Sequence, residues 1–270
     1  MTQDKKTSIL SSPSTVQDPW QSLKKFTSAR IALGRVGSSL PTKEILNFGM
    51  AHAMARDAVH LSLDVDLLES QIQSMGFSTL KVHSRAPDRA SYLLRPDWGR
   101  RLDEESILQL EEAAEDSIDL LFVVADGLSS LAVQKHAVPM FNAIKELLPV
   151  SWKIGPLILA KQARVALADD IGERLRARMT ILLIGERPGL SSPDSLGLYL
   201  TYKPKLPCSD ADRNCISNVR PEGLSYEAAA KKLMWLAQES VRLKVSGVAL
   251  KDESDVQQIA KDEPRILNAP

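Results

Sequence analysis

At 270 residues, with 44% hydrophobic and 25% charged content, the chain can bury one substantial core or two small ones and has the make-up of an ordinary globular protein. Its 34 basic and 34 acidic residues leave no net field to gather a polyanion, which argues against nucleic acid as a partner. Its strongest apolar runs, "IDLLFVVA" (118–125) and "MTILLIG" (179–185), fall far short of the ~20 residues of a membrane span, and only Ile9 and Leu10 stand where a secretory signal would have its apolar core.

Residues 1–26 are polar and rich in Ser and Thr, the pattern of a mobile leader. "PTKEILNFGMAHAMARDAVH" (41–60) predicts a helix, with Pro41 at its start and Ala, Met and Leu at helical spacing. It anchors an N-terminal helical part of about residues 27–78. His52, Arg56 and His60 follow one another at four-residue intervals and share a stripe. Two histidines so placed can converge on a ligand, but on an Ala-rich helix the plainer role is packing against a partner subunit or a loop carboxylate.

From about residue 79 short apolar runs alternate with amphipathic stretches. "STLKVHS", "IDLLFVVADG", "WKIGPLILAKQ" and "MTILLIGERPG" read as strands, and "DEESILQLEEAAED", "LSSLAVQKHAVPMFNAIKELL" and "ALADDIGERLRAR" as the helices between them. Strands buried on both faces with helices between them predict an α/β fold with a Rossmann-like, mostly parallel sheet, its ligand expected beyond the carboxyl ends of the strands. Residues 27–250 are expected to form one domain, and 251–270 a charged tail. Two strand ends carry polar residues at the same place, Asp126-Gly127 and Glu186 to Gly189. From Leu190 to Gly223 only "LGLYLTY" resembles a strand, so a long irregular segment wrapping a ligand or a partner is expected there.

Signatures of common sites are missing. Neither Gly-x-Gly-x-x-Gly nor a P-loop occurs, "GRVG" (34–37) having the wrong spacing, and there is no Gly-x-Ser-x-Gly elbow. Cys208 and Cys215 share a polar segment, stay thiols in a reducing cytosol, and have no histidine nearby to complete a zinc site. The basic cluster Arg85, Arg89, Arg95, Arg100 and Arg101 is interleaved with Asp88, Asp97 and Asp103, which blunts it as a polyanion surface.

Six segments carry a resemblance. They are "RIALGRVGSSLPTKEILNFGMAHAMARDAVH" (30–60), "SRAPDRASYLLRPDWGRRL" (84–102), "VVADGLSSLAV" (123–133), "QARVALADDIGERL" (162–175), "ILLIGERPGLSSPDSLGLYLTY" (181–202) and "DADRNCISNVRPEGLSYEAAAKKL" (210–233). Together they resemble the small subunit of ethanolamine ammonia-lyase. The resemblance implies a carbon–nitrogen lyase that uses adenosylcobalamin. In it a large TIM-barrel subunit holds the substrate, and the small subunit clamps the lower side of the cofactor within a higher hetero-oligomer. Ethanolamine then becomes acetaldehyde and ammonia by radical chemistry that the cofactor supplies. It implies cofactor contacts at Val165, Glu186 and Cys215, no catalytic residue and no metal ligand in this chain. No Asp-x-His-x-x-Gly motif is present, so the benzimidazole base is expected to stay on cobalt. The expected location is the cytoplasm, with a bacterial microcompartment as the alternative. The competing readings are a stand-alone nucleotide-binding α/β enzyme and an assembly factor without a ligand.

Overall fold

The computed structural model describes residues 15, 16, 18–114 and 117–254; most of the leader and most of the charged tail lie outside these. The chain divides into two compact units, one made of Met1–Ala55 with Gly189–Ser191, the other of Arg56–Pro188 with Ser192–Pro270.

In the first unit, Pro19–Phe26 winds into a 3-10 helix whose N-cap, Asp18, accepts from Trp20 N. Helix α1 (Thr42–His60) begins after Pro41 as its sequence predicts, and its residues from Arg56 on are counted with the second unit. Only Ala58 is buried along it, and His52 stacks on Phe48 with ring centroids 6.3 Å apart. Arg30 reaches back to the Glu44 carbonyl at 3.0 Å.

In the second unit the chain runs α2 (Val65–Ser74), β1 (Thr79–His83), α3 (Arg89–Leu94), α4 (Glu104–Glu112), β2 (Leu121–Ala125), α5 (Ser130–Lys145), β3 (Leu157–Lys161), α6 (Leu167–Arg174), β4 (Met179–Gly185), β5 (Leu196–Tyr202), β6 (Arg213–Val219) and α7 (Tyr226–Leu243). The strands form one sheet in the order β1-β3-β2-β4-β5-β6. The first four are parallel, and β5 and β6 are antiparallel. The expected α/β class and mostly parallel sheet are therefore present, with an antiparallel hairpin at one edge.

Strand β2 shows why continuous apolar runs were the signal. Phe122 and Val124 pack with α2, α5 and α7 on one face, and Leu121, Val123 and Ala125 with α4 and α6 on the other. A strand covered on both sides has no polar face, so alternation disappears from its sequence.

Helix starts are capped by short acceptors. Asp88, Asp103, Ser129 and Ser225 accept from the backbone N–H groups of Ser91, Ser106, Ala132 and Ala228. Two aspartates of the interleaved basic cluster thus serve as caps, while Asp97 pairs with Arg95 at 2.6 Å.

The long irregular segment expected between Leu190 and Gly223 is a correction. It contains β5 as read, but also β6, paired along it with Leu198 opposite Ile216 and Tyr199 opposite Cys215. The residues "RNCISNV" hide a strand because β6 is the sheet edge: Asn214, Cys215, Ser217 and Asn218 are not buried, so polar side chains are tolerated where an inner strand would need apolar ones. Helix α7 also went unread, although its buried face of Ala229, Ala230, Leu233, Met234, Leu236 and Ala237 is plainly amphipathic. Among the described residues no helix is long and apolar enough to cross a membrane.

Candidate functional site

Neighbouring strands β2 and β4 end side by side, and two glycines let their exits touch. Gly127, at φ +58°, would drive a Cβ to 2.3 Å from the Gly185 carbonyl, and a Cβ on Gly185 would stand 2.0 Å from the Ser129 carbonyl. With both bare, Leu128 N–H donates to the Gly185 carbonyl at 2.9 Å. The third exit, after β3, is tied to them by Asp126. This buried carboxylate accepts from Gln162 N at 2.8 Å and Ala163 N at 2.9 Å, with Arg89 Nη1 at 3.8 Å. Burial pushes the Asp126 carboxyl up, and these donors oppose the rise.

Beyond these ends lies a cavity of about 390 Å³ lined by Tyr92, Gly127, Arg164, Val165, Glu186 and Tyr199 among others. Tyr92 is buried between two guanidinium groups, Arg89 at 4.6 Å and Arg164 at 4.2 Å from its ring centroid. Burial pushes its phenol up to about 12. A second cavity of about 390 Å³ shares Arg164 and Val165 and adds Arg100, Cys208 and Arg213.

Glu186 is half-buried at the first cavity's rim. Its Oε2 accepts from Ser195 Oγ and, at 3.1 Å, from Asn218 N. Its backbone N–H donates to the Ser195 carbonyl at 2.9 Å. Oε1 has no hydrogen-bond donor among the described residues and stands where a Cβ on Gly197 would meet it at 3.1 Å. One carboxylate oxygen is thus anchored and the other is open to a donor. Glu186 and Val165 share the cavity wall. Cys215 is exposed on β6, directly across from Tyr199, whose phenol is pushed up by burial and then by Cys215. The three residues singled out in the sequence therefore lie on two sides of one tyrosine.

The loop that anchors Glu186 has its own fastening. Ser129 Oγ donates to the Pro193 carbonyl at 2.8 Å and Lys135 pairs with Asp194 at 2.8 Å. His136 contacts Tyr226 OH at 2.7 Å and turns Nε2 toward Asp194 at 3.8 Å. Burial lowers the His136 pKa, Asp194 opposing and Lys135 reinforcing it. The folded chain therefore holds His136 neutral where the unfolded chain begins to protonate it. Stability is expected to fall as pH drops below about 6.5, through the gap between the unfolded value and the lower folded one. Urea unfolding from pH 7.5 to 5 should show this slope in the native chain and lose it in His136→Gln.

Sequence reasoning passed over Tyr92, Arg164, Tyr199, Ser195 and Asn218. All but their burial was visible, since each lies inside a segment that carried the resemblance. Among the described residues no group of three or more His, Cys, Asp and Glu side chains is arranged to hold a metal ion.

Comparison with known proteins decides the family. The model for "Ethanolamine ammonia-lyase light chain (EutC)" matches residues 17–251. The chain belongs to the ethanolamine ammonia-lyase light-chain family. It is 54% identical over 258 residues to the ethanolamine ammonia-lyase small subunit of Pseudomonas paraeruginosa (strain DSM 24068 / PA7), covering 94% of each chain. It is 55% identical over 249 residues to that of Ralstonia nicotianae, covering 90% of this chain and 92% of the relative. The light-chain match spans α1 and every element of the sheet, so the cavity at the strand ends lies wholly within it.

Proposed function

We propose that this chain is the small subunit of an adenosylcobalamin-dependent ethanolamine ammonia-lyase. In this reading it closes over the lower, base-on side of the cofactor while a large TIM-barrel subunit holds substrate on the other side. The observation that carries the reading is the state of Glu186: one carboxylate oxygen tied to Ser195 and Asn218, the other without a donor, at the rim of a cavity that Val165 also lines. A corrin ring bears a rim of amides, and an anchored carboxylate is a fitting acceptor for their N–H groups. Val165 offers an apolar surface, and Cys215 with Tyr199 a soft one.

The bound cofactor would supply radical chemistry that turns ethanolamine into acetaldehyde and ammonia. The chain's own residues bind and orient it. Asp126 fixes the loop that carries Val165, Gly127 and Gly185 let the strand exits meet, and Ser195 aims Glu186. No residue here is assigned to the reacting atoms.

Replacing Glu186 with alanine is expected to leave assembly intact and to weaken adenosylcobalamin binding by about ten- to a hundred-fold, the loss of one charge-assisted hydrogen bond. Glu186→Gln, which keeps an acceptor oxygen, should lose less. Size exclusion of the co-expressed subunits with cobalamin absorbance reads both quantities. Unchanged affinity in an intact Glu186→Ala assembly would reduce Glu186 to a loop fastening. The purified chain alone is expected to show no lyase activity, because a cavity open at the strand ends covers one side of so large a ligand. Acetaldehyde formation by the isolated chain would overturn the subunit reading.

A further inference from the structure

A different cavity, of about 200 Å³, opens between the exits of β2 and β3 and is lined by Ser62, Arg89, Asp126, Ser130, Lys161 and Gln162 among others. Helix α5, which follows β2, packs on one face of the sheet, and α6, which follows β3, on the other. Adjacent parallel strands whose connections leave on opposite faces open a crevice, the usual ligand position of such sheets. We propose that this crevice binds a phosphate group.

Its polar groups are donors in surplus. Ser130, in the first turn of the 16-residue α5, is 1% exposed, lines the cavity, and makes no side-chain hydrogen bond among the described residues. A hydroxyl so enclosed is normally paired. Ser129 caps the helix start through Ala132 N, and Ser130 beside it brings the first turn of α5, the positive end of the helix, to the cavity wall. Lys161, the last residue of β3, brings an exposed ammonium that forms no ion pair among the described residues, although its charge reaches Asp66.

Arg89 adds a second cation. Its Nε donates to the Val59 carbonyl at 2.6 Å and Nη1 to the Gly127 carbonyl at 2.9 Å, while Nη2 is buried without a partner. The one acidic wall residue, Asp126, has its oxygens taken by Gln162 N and Ala163 N and its charge met by Arg89. No ion pair occupies Lys161, whose charge is offset only through space by Asp66.

The donors come from three elements, α3, α5 and β3, rather than from one side. A tetrahedral oxyanion can accept along several directions at once, whereas a planar carboxylate presents both oxygens together. A volume of about 200 Å³ holds a phosphate with a few waters or a small alcohol portion, a water taking about 30 Å³, and leaves no room for a nucleotide.

The test needs neither cofactor nor lyase activity, so it fails or succeeds apart from the subunit reading. Phosphorus-31 linewidths of inorganic phosphate and of methyl phosphate are measured against the full-length chain, with Ser130→Ala, Lys161→Met and, as a control on the exposed side of α7, Lys231→Met. Thermal unfolding in phosphate-free buffer checks that each variant is folded. Lys161→Met is expected to weaken phosphate binding by about tenfold or more and Ser130→Ala by about three- to tenfold, with Lys231→Met unchanged. Methyl phosphate binding as well as phosphate identifies a phosphorylated small molecule as the source; binding of inorganic phosphate alone identifies free phosphate. No broadening with the native chain, affinity unaffected by both cavity variants, or an equal loss in Lys231→Met would overturn the site.

Discussion

Arg213→Ala is expected to destabilise the chain by about 3 to 5 kcal/mol, because it strands a buried carboxylate. The Arg213 and Asp169 side chains are 2% and 1% exposed and form an ion pair that joins the start of β6 to α6. Arg213 also donates to Asp210 at 2.7 Å and to the Cys208 carbonyl at 3.1 Å, so it ties down the loop leading into β6. The pair is not fully satisfied, since Arg213 Nε and Asp169 Oδ1 have no partner. Burial pushes the Asp169 carboxyl up, with Arg213 opposing. Once the guanidinium is gone, nothing of that strength offsets the desolvation.

The double variant Asp169→Leu/Arg213→Met should recover most of the loss, since a matched apolar pair avoids burying charge at all. Chemical denaturation of the native chain, Asp169→Leu, Arg213→Met and the double variant gives the coupling directly, with Arg213→Ala measured beside them. A cost below about 1 kcal/mol for Arg213→Ala would mean that water replaces the guanidinium.

Gly185→Ala is expected to cost at least about 3 kcal/mol and to displace Glu186, which follows it directly. An added Cβ would lie 2.0 Å from the Ser129 carbonyl and 2.7 Å from that of Asp126, both backbone atoms that no rotamer change can move. Separating the two strand exits would break the 2.9 Å bond from Leu128 N to the Gly185 carbonyl. It would also shift the Ser129 cap of α5. Gly49 on α1 is the contrast, with nothing within 4 Å of its Cβ position. Gly49→Ala should be neutral or stabilise by up to about 1 kcal/mol through helix propensity. Thermal unfolding of both variants tests the pair; equal midpoints would show that the strand exits can part without loss.

Much of this architecture is legible in one chain of letters because burial on both faces erases polarity. The runs 121–125, 157–160 and 181–185 are apolar throughout, and the helices between them are amphipathic, so most of the parallel part of the sheet could be read directly. Glu186 was legible for the same reason: a charge that closes such a run is conspicuous. Strand β6 was not, because its apolar residues Ile216 and Val219 stand three apart rather than two, a register shift between the Leu198–Ile216 and Leu196–Val219 pairs placing an extra residue between them. Its position depends on pairing with β5, a contact that no local pattern encodes.

Local sequence determined the α/β class, most elements and the segments that mark the light-chain family, since propensity, patterning and capping act over a few residues. Only tertiary structure decided what these residues do for one another. Asp126, Tyr92 and Arg164 are distant in sequence and converge because three strand exits meet, and Cys215 is set beside Tyr199 only by the register of β5 with β6. Burial, the open oxygen of Glu186 and the unpaired hydroxyl of Ser130 are properties of the space around a residue. That space is set by sheet order, and sheet order by which faces can be covered together.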